Sequence, residues 1–306
     1  MRILVALGGN ALLRRGETLS AAAQQASITL AAGVLAHEVF AGHQLLITHG
    51  NGPQVGLLAL QSAAGPAEST MPLDVLGAES EGWIGYTIEL ALRNALPDGA
   101  IVVTLLTQVL VDPQDEAFEA PSKPIGPVYD EATAQRLAQE RHWSVAPDGK
   151  FWRRVVASPK PMDIIEIASI NRLIDTGAII ICGGGGGIPV RRLPDGKLAG
   201  IEAVIDKDAT SALLAEHIGA DMLIMLSDVP GAYLDYGTKE QRLITETDPA
   251  RMEAYAESFA AGSMGPKAAA ACAFVHATGK PACIGALSDL PDIIEGRKGT
   301  IISAHG

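Results

Sequence analysis

The sequence predicts an α/β protein with a largely parallel central sheet and helices on both faces. Three observations predict it. Short runs of Val, Ile and Leu recur without polar alternation, as in strands buried on both faces. Amphipathic stretches of helix length separate these runs, the alternation of a sheet crossed by helices. Three runs end in glycine-rich turns, and in open α/β sheets ligands sit outside the carboxyl ends of the strands.

The predicted strands are Ile3–Leu7, Leu45–Ile47, Ile101–Leu106, Ile179–Cys182, Leu223–Leu226 and Ala282–Ile284. The predicted helices cover residues 20–41, 53–63, 73–95, 163–176, 207–218 and 266–278. Ile3–Leu7 runs into Gly8-Gly9-Asn10, Leu45–Ile47 through Thr48-His49 into Gly50-Asn51-Gly52, and Ile179–Cys182 into Gly183–Gly187. Glycine lets a backbone bend sharply and lets a ligand approach bare N–H groups. Successive amides in such turns make anion-binding nests. Three nests at strand ends suggest one crevice for phosphate and a second small anion.

Residues 112–161 break the alternation. An acidic segment, Asp112–Glu119, is followed by six prolines between Pro121 and Pro161, by Tyr129, Trp143, Phe151 and Trp152, and by one helix-like run near 130–141. This is a small excursion from the sheet, a protruding lid subdomain, with Lys123 on a loop stiffened by Pro124 and Pro127.

The 306 residues are 48% hydrophobic and 19% charged, a globular balance that allows one large domain or two lobes. A net charge of −12 argues against nucleic acid and against an anionic membrane surface. Any cations that hold an anionic ligand must then be few and individually placed. Cys182, Cys272 and Cys283 are an odd count without CxxC spacing, so neither disulfides nor a zinc site is expected and a cytoplasmic location fits. The first apolar run is too short for a secretory signal, and no run approaches membrane-spanning length.

Two lysines sit where local preference disfavours them. Asp206 is a good N-cap for a helix from Lys207, which places Lys207 at the first helical position. In Gly262-Ser263-Met264-Gly265-Pro266-Lys267, Pro266 suits the first helical position and Lys267 follows in the first turn. Each cation at a helix N-terminus costs about 0.3–1 kcal/mol. Two such placements point to function, because a lysine beside helix-terminal amides strengthens an anion site. Asp208, between the two lysines, would hold them in place while leaving net positive charge. No P-loop, spaced dinucleotide fingerprint, HExxH or nucleophile elbow is present. His49 reads as a structural hydrogen-bonder rather than a catalytic base.

In order, Val5–Leu12, Thr48–Gly56, Lys123–Pro127, Ser158–Pro161, Gly184–Val190, Asp206–Asp208 and Gly262–Lys267 resemble the corresponding segments of carbamate kinases, members of the amino acid kinase family. Ala6 stands where many amino acid kinases carry a lysine, and Lys207 is the position that supplies the charge in carbamate kinases. Ala157 and Val128 depart from the pattern within the excursion.

The resemblance implies a three-layer α/β/α sandwich. Residues 1–204, including the subdomain 112–161, would form the lobe for carbamate and carbamoyl phosphate, and 205–306 the nucleotide-binding lobe. It implies reversible phosphoryl transfer between ATP and carbamate, giving carbamoyl phosphate and ADP, with Mg²⁺ riding on the nucleotide and its protein ligands unknown. Gly8, Gly9, Asn10, Gly50, Asn51, Gly52 and Gly184, Gly185, Gly186 and Gly187 would hold carbamate and the transferring group. Lys207, Lys267, Asp208 and Lys123 would be catalytic, with Lys123 reaching over the site. Asp228, Tyr233, Met264, Gly265, Pro266 and Lys267 would lie around ADP or ATP. A homodimer is implied, and the resemblance leaves open which breakdown pathway, of arginine, agmatine, or purine or allantoin, feeds the enzyme. Two alternatives stay open: a kinase of the same fold acting on another small carboxylate, and a non-catalytic nucleotide-binding regulator.

Overall fold

The computed structural model describes residues 1–12, 20–66, 69–259 and 264–305. The strands are β1 (Arg2–Leu7), β2 (Gln44–His49), β3 (Val102–Thr104), β4 (Gln108–Val111), β5 (Lys123–Tyr129), β6 (Ser144–Asp148), β7 (Phe151–Val156), β8 (Pro161–Ile164), β9 (Ile179–Ile181), β10 (Ile188–Arg192), β11 (Leu198–Gly200), β12 (Met222–Ser227), β13 (Tyr233–Leu234), β14 (Arg242–Leu243), β15 (Glu246–Thr247), β16 (Ala282–Ala286) and β17 (Thr300–Ile302). The helices are α1 (Gly9–Leu12), α2 (Ala21–Phe40), α3 (Gly52–Ala64), α4 (Leu73–Ala95), α5 (Glu131–Arg141), α6 (Ile167–Asp175), α7 (Lys207–His217), α8 (Pro249–Ala254), α9 (Met264–Thr278) and α10 (Leu290–Ile294).

One eight-stranded sheet, in the order β15-β17-β16-β12-β1-β2-β9-β3, runs through the molecule. All its pairings are parallel except β16 with β17. The apolar runs supply both faces at once, as buried parallel strands must. Leu4, Ala6, Leu46, Ile180, Leu223 and Met225 pack under α6, α7 and α9. Ile3, Val5, Leu7, Leu45, Ile47 and Ile181 pack under α2 and α4. This is the expected three-layer α/β/α arrangement. Strand β1 sits between β2 and β12, so the chain departs to both sides of it. A crevice at the carboxyl ends is expected at such a switch point.

The excursion is a three-stranded antiparallel sheet, β5-β7-β6, with α5. Ile125 and Val156 anchor it in an apolar cluster with Val55 of α3, Leu73 and Leu76 of α4, and Val204. Beside it, β11-β10-β4-β8 forms a second small sheet.

Three expectations need correction. The strand expected over Ile101–Leu106 is only Val102–Thr104, because the chain turns away at Leu105–Thr107 to bond the glycine turn after β9. The helix expected from 163 begins at Ile167, because Pro161–Ile164 pairs with β4 instead. Pro266 is the third residue of α9 rather than the first. It still falls within the first turn, where a missing N–H costs no helical bond. Among the described residues no helix is long and apolar enough to cross a membrane.

Candidate active site

The turns after β1, β2 and β9 meet at the carboxyl end of the sheet. Gly8 lies so close to β12 that a Cβ there would stand 2.7 Å from the Leu226 carbonyl oxygen. A Cβ on Gly50 would lie 3.5 Å from the Gly9 nitrogen and 4.0 Å from Cδ of Lys207. Gly185 faces the Asn51 side-chain amide, and Gly186 faces the backbone at Ile205–Asp206. One crevice therefore gathers Gly8, Gly9, Gly50, Asn51, Gly184–Gly187 and Lys207. The Asn10 side chain, Gly262 and Ser263 lie outside the described residues.

The turns differ in which amides they leave open. Asn51 occupies the N-cap position of α3, yet its side chain makes no capping bond; its Nδ2 instead donates to Ser80 Oγ at 2.8 Å. The first backbone bond of α3 starts at the Val55 amide, so the Gly52 and Gln54 N–H groups keep the positive end of the helix open to an anion. In the turn after β9, by contrast, Gly183 N–H donates to Thr107 Oγ1 at 2.9 Å and Gly184 N–H to Glu81 Oε1 at 2.9 Å. Gly186 and Gly187 donate to Gly183 and Gly184 carbonyls. Gly185 alone of the five has no acceptor for its amide among the described residues. The left-handed φ angles of Gly183, Gly185, Gly186 and Gly187 explain why the run is glycine.

The charged groups come from three directions. Asp206 caps α7 by accepting from the Asp208 and Ala209 amides at 2.9 and 3.1 Å, and its other oxygen accepts from Lys123 Nζ at 2.6 Å. Lys207 Nζ donates to Asp208 Oδ1 at 2.6 Å. Lys267, from α9, donates to Asp208 Oδ2 at 3.0 Å. Asp208 is 5% exposed and Lys267 4%. Burial alone would raise the Asp208 carboxyl, but the two ammonium groups outweigh it and hold it at about 2. Burial, and then repulsion from Lys207, lower Lys267 against the pull of Asp208. Burial also opposes ionisation of Asp206, and Lys123 overcomes it, so that carboxyl stays below its ordinary range. Three cations against two carboxylates leave the cluster with one net positive charge.

Asp228 follows the end of β12 and is exposed, with Ser227 Oγ donating to it at 3.2 Å. Tyr233 lies in β13, its ring 5.8 Å from that of Tyr236. Met264, Gly265, Pro266 and Lys267 form the first turn of α9. Asp228 lies just past the carboxyl end of β12, which β1 separates from β2 and β9 in the sheet.

The structure gives His49 the structural hydrogen-bonding role expected of it and adds two residues that sequence reasoning passed over. His49 is fully buried, and burial, opposed by its bond to Gly50, lowers it to about 4. The neutral ring must carry its proton on Nδ1, because Nδ1 faces the Gly50 carbonyl oxygen at 3.1 Å. It thereby fixes the turn after β2. Glu81, on α4, is 1% exposed and accepts from both the Gly184 and Thr107 amides. Burial pushes its carboxyl up to about 8 against those bonds. Thr107 supplies the hydroxyl that receives Gly183. Glu81 reads in sequence as one polar residue among several on a long helix; the only available signal was a charge at a core-facing position. No cluster of three metal-ligating side chains occurs among the described residues.

Residues 1–286 match the amino acid kinase family. A carbamate kinase of Rhizobium meliloti is 51% identical over 306 residues, covering 99% of this chain and 94% of that protein. The carbamate kinase of Giardia lamblia bound to citric acid superposes with a TM-score of 0.91 at 39% identity, covering 99% of this chain and 98% of the other. The same Giardia enzyme bound to AMP-PNP gives 0.90 at 40% identity with the same coverage.

Proposed function

Because the chain belongs to the amino acid kinase family, we propose that it is a carbamate kinase, transferring a phosphoryl group reversibly between ATP and carbamate. The observation that carries this reading is the pairing of Lys207 and Lys267, from two different helices, on one buried carboxylate beside the Gly8–Gly9 and Gly50–Gly52 turns.

Phosphoryl transfer asks a protein for alignment and charge stabilisation. A carbamate oxygen forms a bond to the γ-phosphorus while the bond from that phosphorus to the β–γ bridging oxygen breaks, releasing ADP. The attacking oxygen is already anionic, so no proton has to be removed, which suits a crevice whose histidine, His49, is held neutral by burial and engaged with a carbonyl. Lys207 and Lys267 would neutralise charge on the transferring oxygens. Asp208 would hold both ammonium groups to one point. Lys123 would reach from the excursion and exchange Asp206 for phosphate. Gly8, Gly9, Asn10, Gly50–Gly52 and Gly184–Gly187 would hold carbamate and the phosphoryl group in the half formed by residues 1–204. Asp228, Tyr233 and Met264–Lys267 would hold the nucleotide in residues 205–306.

Mg²⁺ would enter with the nucleotide, as hard cations held mainly by phosphates do. Both Asp208 oxygens are engaged by lysines, which leaves Asp228 as the exposed carboxylate among the residues assigned to the nucleotide. The buried thiols fit a reducing cytoplasm. Carbamoyl phosphate supplied by a catabolic reaction such as arginine breakdown would let the enzyme make ATP.

A homodimer is supported by the edge strand β3, whose outer side is unpaired in the sheet, flanked by exposed Ile101, Leu106, Tyr86 and Leu90. Light scattering on the wild type and on Leu106→Glu should give twice the chain mass for the first and a single chain for the second.

Purified protein supplied with carbamoyl phosphate and ADP should make ATP. Acetyl phosphate and other acyl phosphates should be poor donors. Turnover of another acyl phosphate in preference would reassign the substrate, and nucleotide binding without any turnover would make the chain a regulator.

A further inference from the structure

Two consecutive residues of α4 reach the two walls of the crevice. Ser80 Oγ accepts from Asn51 Nδ2 at 2.8 Å and itself donates to the Gly77 carbonyl at 2.8 Å. Glu81 accepts from Gly184 N–H with one oxygen and from Thr107 N–H, at 3.1 Å, with the other. Thr107 Oγ1 accepts from Gly183 N–H and donates its own O–H to the Leu105 carbonyl at 3.0 Å. Both α4 side chains are fully or almost fully buried, and neither bonds to the lysine cluster among the described residues.

The spacing between the walls depends on these contacts. Gly184 is packed so tightly that a Cβ would stand 2.3 Å from the His49 ring and 2.9 Å from Glu81 Cγ. Gly185 is pressed against the Asn51 amide in the same way, where a Cβ would stand 2.0 Å from Nδ2. Asn51 and the Gly183–Gly187 turn are thus held against one another by bonds that end on adjacent residues of one helix. The β2 turn carries the open amides of α3, and the β9 turn carries the single unengaged amide, that of Gly185.

We propose that Ser80 and Glu81 are positioning residues that set the distance between the Asn51 turn and the Gly185 amide, and so tune the half of the crevice that receives the small acid rather than the nucleotide. The inference rests on the carbamate kinase reading above. A carboxyl group suits the task at residue 81 because both of its oxygens accept N–H bonds, the hydroxyl oxygen included when burial keeps the group protonated. The isosteric amide must turn an N–H₂ toward one of the two backbone donors and lose that bond.

Steady-state kinetics in the ATP-forming direction, with KM measured separately for carbamoyl phosphate and ADP, tests this. Glu81→Gln should raise KM for carbamoyl phosphate on the order of 10- to 100-fold, since small misplacements of binding groups carry losses of that size. KM for ADP should stay within about twofold, because that substrate's contacts are untouched. Ser80→Ala, which removes only one hydroxyl and leaves the Glu81 bonds in place, should shift the same constant in the same direction by a smaller factor. The proposal is overturned if both variants leave the carbamoyl phosphate constant unchanged, or if the constants for both substrates rise together, as a general loosening of the fold would make them. Absence of turnover in the wild type would instead remove the carbamate kinase reading on which the inference rests.

Discussion

The turn after β2 and the turn after β9 carry the same sequence signal, an apolar strand running into glycines, and use it in opposite ways. The Gly50–Gly52 turn spends the Gly50 amide on the Leu7 carbonyl but leaves that of Gly52 open: Asn51 withholds its cap, and no atom beyond its own neighbours and helix backbone lies within 4 Å of where a Gly52 Cβ would be. The Gly183–Gly187 turn spends its amides on Thr107, Glu81 and its own carbonyls, and spends its missing side chains on close packing. Glycine's two properties, bare amides and absent bulk, are separable. Here one turn uses the first and the other uses mainly the second.

The largest expected effect breaks the charge that the open turn serves. Lys267→Ala or Lys207→Ala should lower kcat by on the order of 10²–10³-fold, the scale of losing one preorganised charge-stabilising donor. Circular dichroism should be unchanged, and near-normal turnover in both variants would refute the assignment. Next, alanine at the two turns should separate the two uses of glycine. Gly185→Ala places a Cβ on the Asn51 amide at a left-handed φ and should cost about 1–3 kcal/mol of stability, seen as a lower Tm. Gly52→Ala should leave Tm unaltered or slightly raised and weaken only substrate binding. Equal losses of Tm at the two positions would erase the contrast.

A smaller effect is expected at Lys123. Its pair with Asp206 is close to one-third exposed on each side, so Lys123→Ala should change stability by about 0–1 kcal/mol while slowing turnover.

A further comparison is the pH dependence of stability. A carboxyl raised in the fold, such as Glu81, favours the folded state below its unfolded value of 4.5, and that advantage is lost as pH rises to about 8. The Tm of the wild type relative to Glu81→Gln should therefore fall between those values and level off above. His49 works in the opposite sense: its contribution is present above 6.5 and lost as pH falls toward about 4. Asp208 loses its contribution only between 3.8 and about 2. A flat Tm difference across pH 5–8 would show that Glu81 does not titrate in that window.

Much of this site was legible. A lysine at the first position of α7 and another in the first turn of α9 stood out because each opposes the helix dipole, and the structure brings both onto Asp208. The glycine turns stood out because glycine at strand ends is a local signal. Glu81 and Ser80 did not, because a polar residue on a helix gains its meaning from what packs against that face. The short strands β4 and β8 were missed for a related reason, because their pairing partners are distant in sequence, while Pro189, Arg191 and Arg192 disguise the β10–β11 hairpin.

The chain by itself determined the layers, since strands apolar on both faces can only be buried between helices, and it determined which residues bear charge at helix ends. Only the folded arrangement decided which amides stay free. An N–H group is open or engaged according to acceptors that approach from elsewhere in the chain, and a run of glycines is silent about who those neighbours will be.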